Sequence, residues 1–582
     1  MSMGYIPSRR QLMRRVEIAD FAISEEKIAF VAKAVAEWWG ADEQPLILDS
    51  SMASKAELLC YVHNVVSQEG GIALFDAASL AQIAMSEKII FWVPTYQNLS
   101  GAVHQYALKT ARDLLVGALT ADEITSSLTL AAEALKQHLY EFKTFKTESG
   151  IPILAALHAL DVDFFPIEGD IVQLGQGANS RLLYGSSVEA DSAVGIQVSD
   201  LKYTAYKRFK MAGIPTPVTY PVRIKAHAMH ALRRIEGAKV VKPEGGNRGE
   251  GVHTHLVTDD EVLSAVEEAI KFSALGTALI QPQLKGECHR IQIINSEFIY
   301  ANTRFPKSIV GNGRDTLEVL VAQANSKLQE MAARKRLKAF PMDEEARRTL
   351  SVQGLSEDTI IPLGQRVLLR SVTSVRDGGA GKNISTTIHP ANIAIAMEAA
   401  QACGLGSAGV DFYSEDPTVP WYENGGMILE VNNRPHVFNR PSDRATSPTA
   451  WRMIQALRQG ADKIPIHVFV GTTEASQSAL MRQKSLVASG VLAWCISTWG
   501  IHTPEGTAIP VDDPATHVLP LFGNPRVAAV CLVVGEWGAN YALPIRHITT
   551  LQSAQVHADG VPHPRWLAVL ERLYKIYGDN PG

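Results

Sequence analysis

GLGSAGVDFYSED (404–416) and GGMILEVNNRP (425–435) are the two stretches on which the reading of this chain turns. Each is an apolar run that ends in a carboxylate, Asp411 in the first and Glu430 in the second. Residues two apart on a strand point to the same face, so Glu430 and Asn432 address one pocket, and Asp411 on a neighbouring strand is able to join them. Two carboxylates and an amide are hard oxygen donors of the kind that hold Mg²⁺ against nucleotide phosphates. Taken singly, each is an ordinary strand-end turn residue.

Upstream lies AKVVKPEGGNRGEGV (238–252). An apolar strand delivers Lys242 into a loop holding Gly245, Gly246, Asn247, Gly249 and Gly251. Glycines let backbone N–H groups approach phosphate oxygens, and the lysine adds positive charge. Between the two lies RVLLRSVTSVRDGGAGKNISTTIHP (366–390). Here Arg370 ends a strand and a Gly-rich stretch from Asp377 to Gly381 follows. A guanidinium at this place suits the charge of a phosphoryl group in transfer. On its own it reads as a surface ion pair of little worth.

The order and spacing of these stretches resemble an ATP-grasp domain. From QLGQGANSRLLYGSS (173–187) to EVNNRPHVFNRP (430–441) the chain resembles the ligase half of the cyanophycin synthetase family. SDLKYTAYKRF (199–209) and GECHRIQIINSEFIYANTRFPKSIVGNGRDTLEVLV (286–321) carry that likeness together with the motifs above. The resemblance implies ATP and Mg²⁺ as cofactors. It puts Lys207 and Lys242 on the ATP phosphates, with Asn247, Gly249 and Gly251 in the nucleotide loop. Arg290, Arg304 and Arg370 would line the carboxylate and acyl-phosphate site, and Asp411, Glu430 and Asn432 would hold the metal. EVNNRP departs from the family, which has small residues and a glycine after the asparagine; Asn433 and Arg434 thereby bear on substrate choice.

Further on, KIPIHVFVGTTEASQSAL (463–480) stands where the family's second, Mur-ligase-like half begins with a P-loop. Glu474 and Ala475 replace the glycine–lysine pair that a P-loop needs for close backbone approach and for neutralising β/γ-phosphates. STWGIHT (497–503) and GNPRVAAVCLVVGEWGANYA (523–542) still look like pieces of that half, which is expected to be truncated and inactive. In this the chain resembles the second type of cyanophycin synthetase, which polymerises ready-made β-aspartyl-arginine dipeptides. Open alternatives are a related amide ligase acting on another dipeptide or amino acid, and a non-catalytic polymer-binding scaffold.

The first part of the chain carries helix-like EEKIAFVAKAVAEWW (25–39) and ADEITSSLTLAAEALKQHLYEF (121–142), a strand–turn–helix pattern in GGIALFDAASLAQIAM (70–85) and a strand in KIIFWVP (88–94). Arg9, Arg10, Arg14 and Arg15 read as a solvated terminal face. The expected fold class is α/β, with an α+β multidomain arrangement: an accessory domain (1–165), an ATP-grasp domain (166–470) and a vestigial Mur-like domain (471–582).

At 582 residues the chain is too long for one core. A net charge of −5 provides no basic field for nucleic acid or anionic membrane, and no membrane-length apolar run is present. Five cysteines without metal spacing suit a reducing cytoplasm. The partners expected are a small peptide or dipeptide and a growing polymer, with a homo-oligomer, dimer or tetramer, as the assembly.

Overall fold

The computed structural model describes residues 3–4, 12–19, 23–39, 52–69, 79–83, 88–95, 101–137, 150–245, 250–330, 339–370, 380–435, 448–511, 517–535, 547–553, 566–567, 569–571 and 573. The chain forms two compact units, one from residues 186–437 and one from 1–185 with 438–582. Both mix helices and sheets, as expected for the class.

The 186–437 unit contains two antiparallel sheets that matter for the site. In the first, Lys239–Pro243 lies between His253–Leu256 and Ala278–Pro282, and the latter also pairs with Tyr220–Val222. Helices Lys225–Leu232 and Asp259–Phe272 cover it, burying Val222, Val241, Val262, Val266 and Ile280 in one cluster. The second helix starts with a capping box: Thr258 Oγ1 accepts from the Glu261 amide while the Glu261 carboxylate accepts from the Thr258 amide.

The second sheet has the order Ala380–Asn383, Glu297–Phe305, Glu287–Ile294, Ala408–Ser414, Met427–Asn433. Its strands alternate in character. Ile291, Ile293, Val410 and Phe412 pack with Phe209, Ile395 and Ala399 of the helices Lys202–Ala212 and Pro390–Cys403. Arg290 and Asp411, a cross-strand pair, stand in register between those apolar positions. A smaller element, Ser308–Val310 paired with Arg366–Leu368, packs with helices Leu317–Glu330 and Glu344–Val352 around Leu317, Leu350 and Val367.

In the other unit, helices Glu25–Trp39, Met52–Glu69, Gly101–Val116 and Ala121–Gln137 share a core that includes Val31, Leu58, Val62, Ala111 and Leu128. The two helices read from the sequence are thus present. The strand–turn–helix reading of 70–85 needs correcting: residues 70–78 lie outside those described, and Ser79–Ile83 is a strand, not a helix. It pairs with Lys88–Thr95 through a bulge, and this partner decides between two conformations that a short apolar run leaves open. Arg14 and Arg15 belong to the strand Leu12–Ala19, while Arg9 and Arg10 fall outside the described residues.

The same unit carries a parallel sheet in which Ile466–Val470 runs between Ala529–Val534 and Thr550–Ser553, with Ala493–Ser497 beyond Ala529–Val534. Strand Ile466–Val470 leads through Gly471 (φ 140°) into helix Thr473–Ala488. The order strand, turn, helix is the one that a P-loop has. Glu474 lies in the first helical turn, where its charge would oppose phosphate, and Ala475 is fully buried against the cluster of Phe469, Cys495 and Val533. Among the described residues no helix is long and apolar enough to cross a membrane.

Candidate active site

A bulge sets the geometry of the carboxylates. Asp411 pairs with Glu430 and Phe412 with Ile428, so Leu429 has no partner across the ladder. Without it, Glu430 and Ile428 would share a face by the two-residue period. The extra residue turns Glu430 away from buried Ile428 and onto the face of Asp411. Gly409 opposes Asn432, which therefore follows on the same face.

The side chains meet as that register requires. Asn432 Nδ2 donates to Glu430 Oε1 at 3.0 Å and to Asp411 Oδ2 at 3.3 Å. Arg290 forks onto Asp411, Nε to Oδ1 at 2.6 Å and Nη2 to Oδ2 at 2.9 Å. Arg304 adds a second guanidinium at 3.8 Å from Asp411 Oδ1. Burial works against the Arg290 charge, but Asp411 outweighs it and raises Arg290 above its ordinary value. Arg304 is lowered by burial and by the neighbouring Arg290. Gly409 makes the fork possible: a β-carbon there would press on Arg290 Nη1 and come within 3.0 Å of its Cζ.

Lys242 is 5% exposed, and burial pushes its ammonium down to about 8 against the attraction of Glu430. Glu430 responds in the opposite sense. Burial tends to raise it, but Lys202 and Lys242, with the hydrogen bond from Asn432, hold it at about 2. The pocket therefore pairs a fully ionised carboxylate with buried cationic charge.

The family resemblance points to Lys207 in SDLKYTAYKRF, and the structure adds Lys202, the stronger positive neighbour of Glu430 and Glu244. The two lysines are five residues apart, about 500° of helical rotation, and so project roughly 140° away from each other. Lys207 is exposed and lies over the Tyr203 ring at 5.2 Å, within electrostatic reach of Glu244. Lys202 opens the helix immediately after the Ala193–Asp200 helix, and this break was the available signal. The structure also adds Glu244. It is 4% exposed, and both its oxygens accept from the Tyr203 amide at 3.1 Å, in the first turn of the helix that carries Lys202. Burial raises its pKa.

The other named residues are placed as follows. Gly251 has φ 67°, and a β-carbon there would come to 2.8 Å of the Phe272 ring. Asn247, Gly246 and Gly249 lie outside the described residues, as do Asp377, Gly378 and Gly379. The Arg370 guanidinium forks onto Asp343 at 2.9 and 2.6 Å, and Asp343 caps helix Glu344–Val352.

Among the described residues no group of three His, Cys, Asp or Glu side chains could hold a metal ion. The carboxylates of Asp411 and Glu430 are hard oxygen donors that suit Mg²⁺, while Asn432 turns its Nδ2 toward both of them.

No family model matches the chain. It is 27% identical over 338 residues to a cyanophycin synthetase of Geminocystis herdmanii, covering 57% of this chain and 39% of that one. To the cyanophycin synthetase of Crocosphaera subtropica it is 25% identical over 341 residues, 58% and 39% of the two chains. A bifunctional glutathione synthetase from Pasteurella multocida aligns structurally over 61% of this chain and 52% of its own, at 19% identity and a TM-score of 0.39. The matched stretch thus spans about two fifths of the length of these curated relatives. Over more than half its length, the chain is similar in sequence to these cyanophycin synthetases.

Proposed function

We propose that this protein is an ATP-dependent carboxylate–amine ligase that forms ADP and phosphate and polymerises β-aspartyl-arginine dipeptides. The observation that carries the reading is the convergence of Lys202 and Lys242 with the Asp411–Glu430–Asn432 group and the Arg290–Arg304 pair, in a chain similar in sequence to cyanophycin synthetases. The lysines hold the negative charge of ATP phosphates. Asp411, Glu430 and Asn432 would hold Mg²⁺, which supplies charge neutralisation on the phosphate oxygens. Arg304, with Arg290 behind it, orients the carboxylate that is to be activated. Attack of that carboxylate on the γ-phosphorus forms an acyl phosphate and releases ADP. The amine then attacks the acyl carbon, loses a proton and expels phosphate.

The same reading makes residues 471–582 a vestigial Mur-like domain, because buried Ala475 and Glu474 occupy the places of the P-loop lysine and glycine. A chain with one working ATP site extends a backbone but does not decorate it, so its substrate arrives with the side chain already attached. The test is incubation with ATP, Mg²⁺, a short primer and β-aspartyl-arginine. ADP, phosphate and a mass ladder of one repeating unit are expected, and free aspartate plus free arginine should yield none. AMP and pyrophosphate would overturn the acyl-phosphate route. A ladder of another unit would sink the substrate alone.

A further inference from the structure

The helix that opens with Lys202 begins without a cap of its own. Its N-cap residue, Leu201, has extended backbone and makes no side-chain hydrogen bond to the helix. The first amides of a helix have no partner within it and need an acceptor from elsewhere. Here the acceptor comes from 41 residues away: both carboxylate oxygens of Glu244 accept from the Tyr203 amide at 3.1 Å. Glu244 is itself fixed. Its amide donates to the Thr277 carbonyl at 2.9 Å, and its carbonyl accepts from buried Ser273 Oγ at 2.8 Å. Burial opposes its charge, and the Tyr203 amide, Lys202, Lys242 and Lys207 partly offset that. The contact joins two layers. Lys242 belongs to the first sheet, whereas Ala205 and Phe209 of the helix pack with the second. On the other side, Asn433 Nδ2 donates to Ser199 Oγ at 2.7 Å and to Asp200 Oδ1 at 2.8 Å, tying the residues just before the helix to the second sheet. Glu244 is the tie from the first.

We propose that Glu244 is a positioning residue that fixes the start of the Lys202 helix against the strand bearing Lys242, so that the two lysines stand as a pair for the phosphates of ATP. This rests on the ligase reading above, through its ATP site. Left to themselves the two ammoniums move apart: burial lowers Lys242 most, Glu430 draws it back up, and Lys202 lowers it again. Glu430 on the second sheet and Glu244 at the end of the first each attract both lysines. Glu244 adds to this attraction a fixed distance, set by its reach to the Tyr203 amide. A side chain one methylene shorter leaves that amide without its acceptor, and the helix start is then free to shift against the strand. A shift of about 1 Å is enough to weaken a charged contact severely. Glu244 touches no phosphate in this scheme; it acts through the helix that carries Lys202.

Calorimetric titration of the full chain with MgATP tests this, alongside melting temperatures. Glu244→Gln keeps the reach and an acceptor oxygen, and should change the Kd for MgATP by less than about threefold. Glu244→Asp keeps the charge but not the reach. Like Glu244→Ala, it should raise Kd about tenfold, as expected for loss of one charged hydrogen bond to phosphate. A Gln variant as weak as the Asp variant, or weaker, overturns the proposal, and so does an unmoved Kd in the Asp and Ala variants. Leu201→Ser separates positioning from stability. It gives the helix an N-cap of its own, so in the Glu244→Ala background it should restore the melting temperature and leave Kd raised. Recovery of Kd together with the melting temperature would make Glu244 a helix cap and nothing more. If the alanine variant does not fold, the comparison of Gln with Asp decides alone. Any of these failures with wild-type binding of MgATP intact leaves the ligase reading standing. If the wild type binds no MgATP, the ATP-site reading fails and the role of Glu244 fails with it.

Discussion

Replacing Gly409 by alanine isolates the most constrained contact in the site. The glycine lies in ordinary strand backbone, so alanine meets no φ restriction there. By itself the change should stabilise the strand by roughly 0.5–1 kcal/mol through reduced chain entropy. The added β-carbon, however, presses on Arg290 Nη1 and falls 3.0 Å from Cζ and 3.1 Å from Cδ. Arg290 must leave its fork on Asp411, a carboxylate only 6% exposed. Removing one partner of a buried pair outright costs about 3–5 kcal/mol. A displaced arginine keeps part of its bonding, so about 2–3 kcal/mol of destabilisation is expected, less than outright removal. For a folding unit of this size that lowers the melting temperature by about 4–12 °C. The assay is a double-mutant cycle read by thermal and urea unfolding. In an Arg290→Ala background the clash is gone, and Gly409→Ala should become neutral or stabilising. Additive costs in the cycle, or an unchanged melting temperature for Gly409→Ala alone, would refute the argument that the glycine exists to admit Arg290.

Three further outcomes are expected. Glu430→Gln should cut ADP formation by about 10²-fold or more at saturating Mg²⁺ with the fold intact, since charge and not shape holds the cation; near wild-type turnover would remove Glu430 from the metal group. Lys202→Ala should lower kcat/KM for ATP by about 10²-fold and Lys207→Ala by less than about fivefold, as measured by coupled ADP release, and the reverse ranking would restore the choice made from sequence. The buried pair His63 and His104, joined at 3.0 Å, should make the helical region sensitive to acid. Burial pushes His63 down from 6.5 to about 4, so between those values the unfolded chain binds more protons. The stabilisation is complete above pH 6.5 and is lost as the pH falls to 4, about 3 kcal/mol in all. His63→Leu should flatten that slope in unfolding titrations from pH 7 to 4; equal slopes for the two proteins would dismiss it.

Sequence by itself determined which candidate residues stand where along the chain and the local character of many elements. Apolar runs ending in Asp411 and Glu430, the strand that delivers Lys242, the helix 25–39 and the strand–turn–helix run with Glu474 and Ala475 are local patterns. Periodicity, end signals and residue chemistry report such patterns directly. Tertiary structure decided what no local pattern contains. The unpaired Leu429 puts Glu430 on the face of Asp411, because a bulge exists only relative to a partner strand. The phase of the helix beginning at Lys202 selects that lysine over Lys207. Cross-strand register lays Arg290 over Gly409, while Arg370 forks onto Asp343, a partner 27 residues away in the chain. Ser79–Ile83 becomes a strand because Lys88–Thr95 offers it a ladder. In each case the deciding energy comes from a partner distant in sequence, so residue chemistry is legible in the chain while the face each side chain occupies is settled by the register of packed strands and helices.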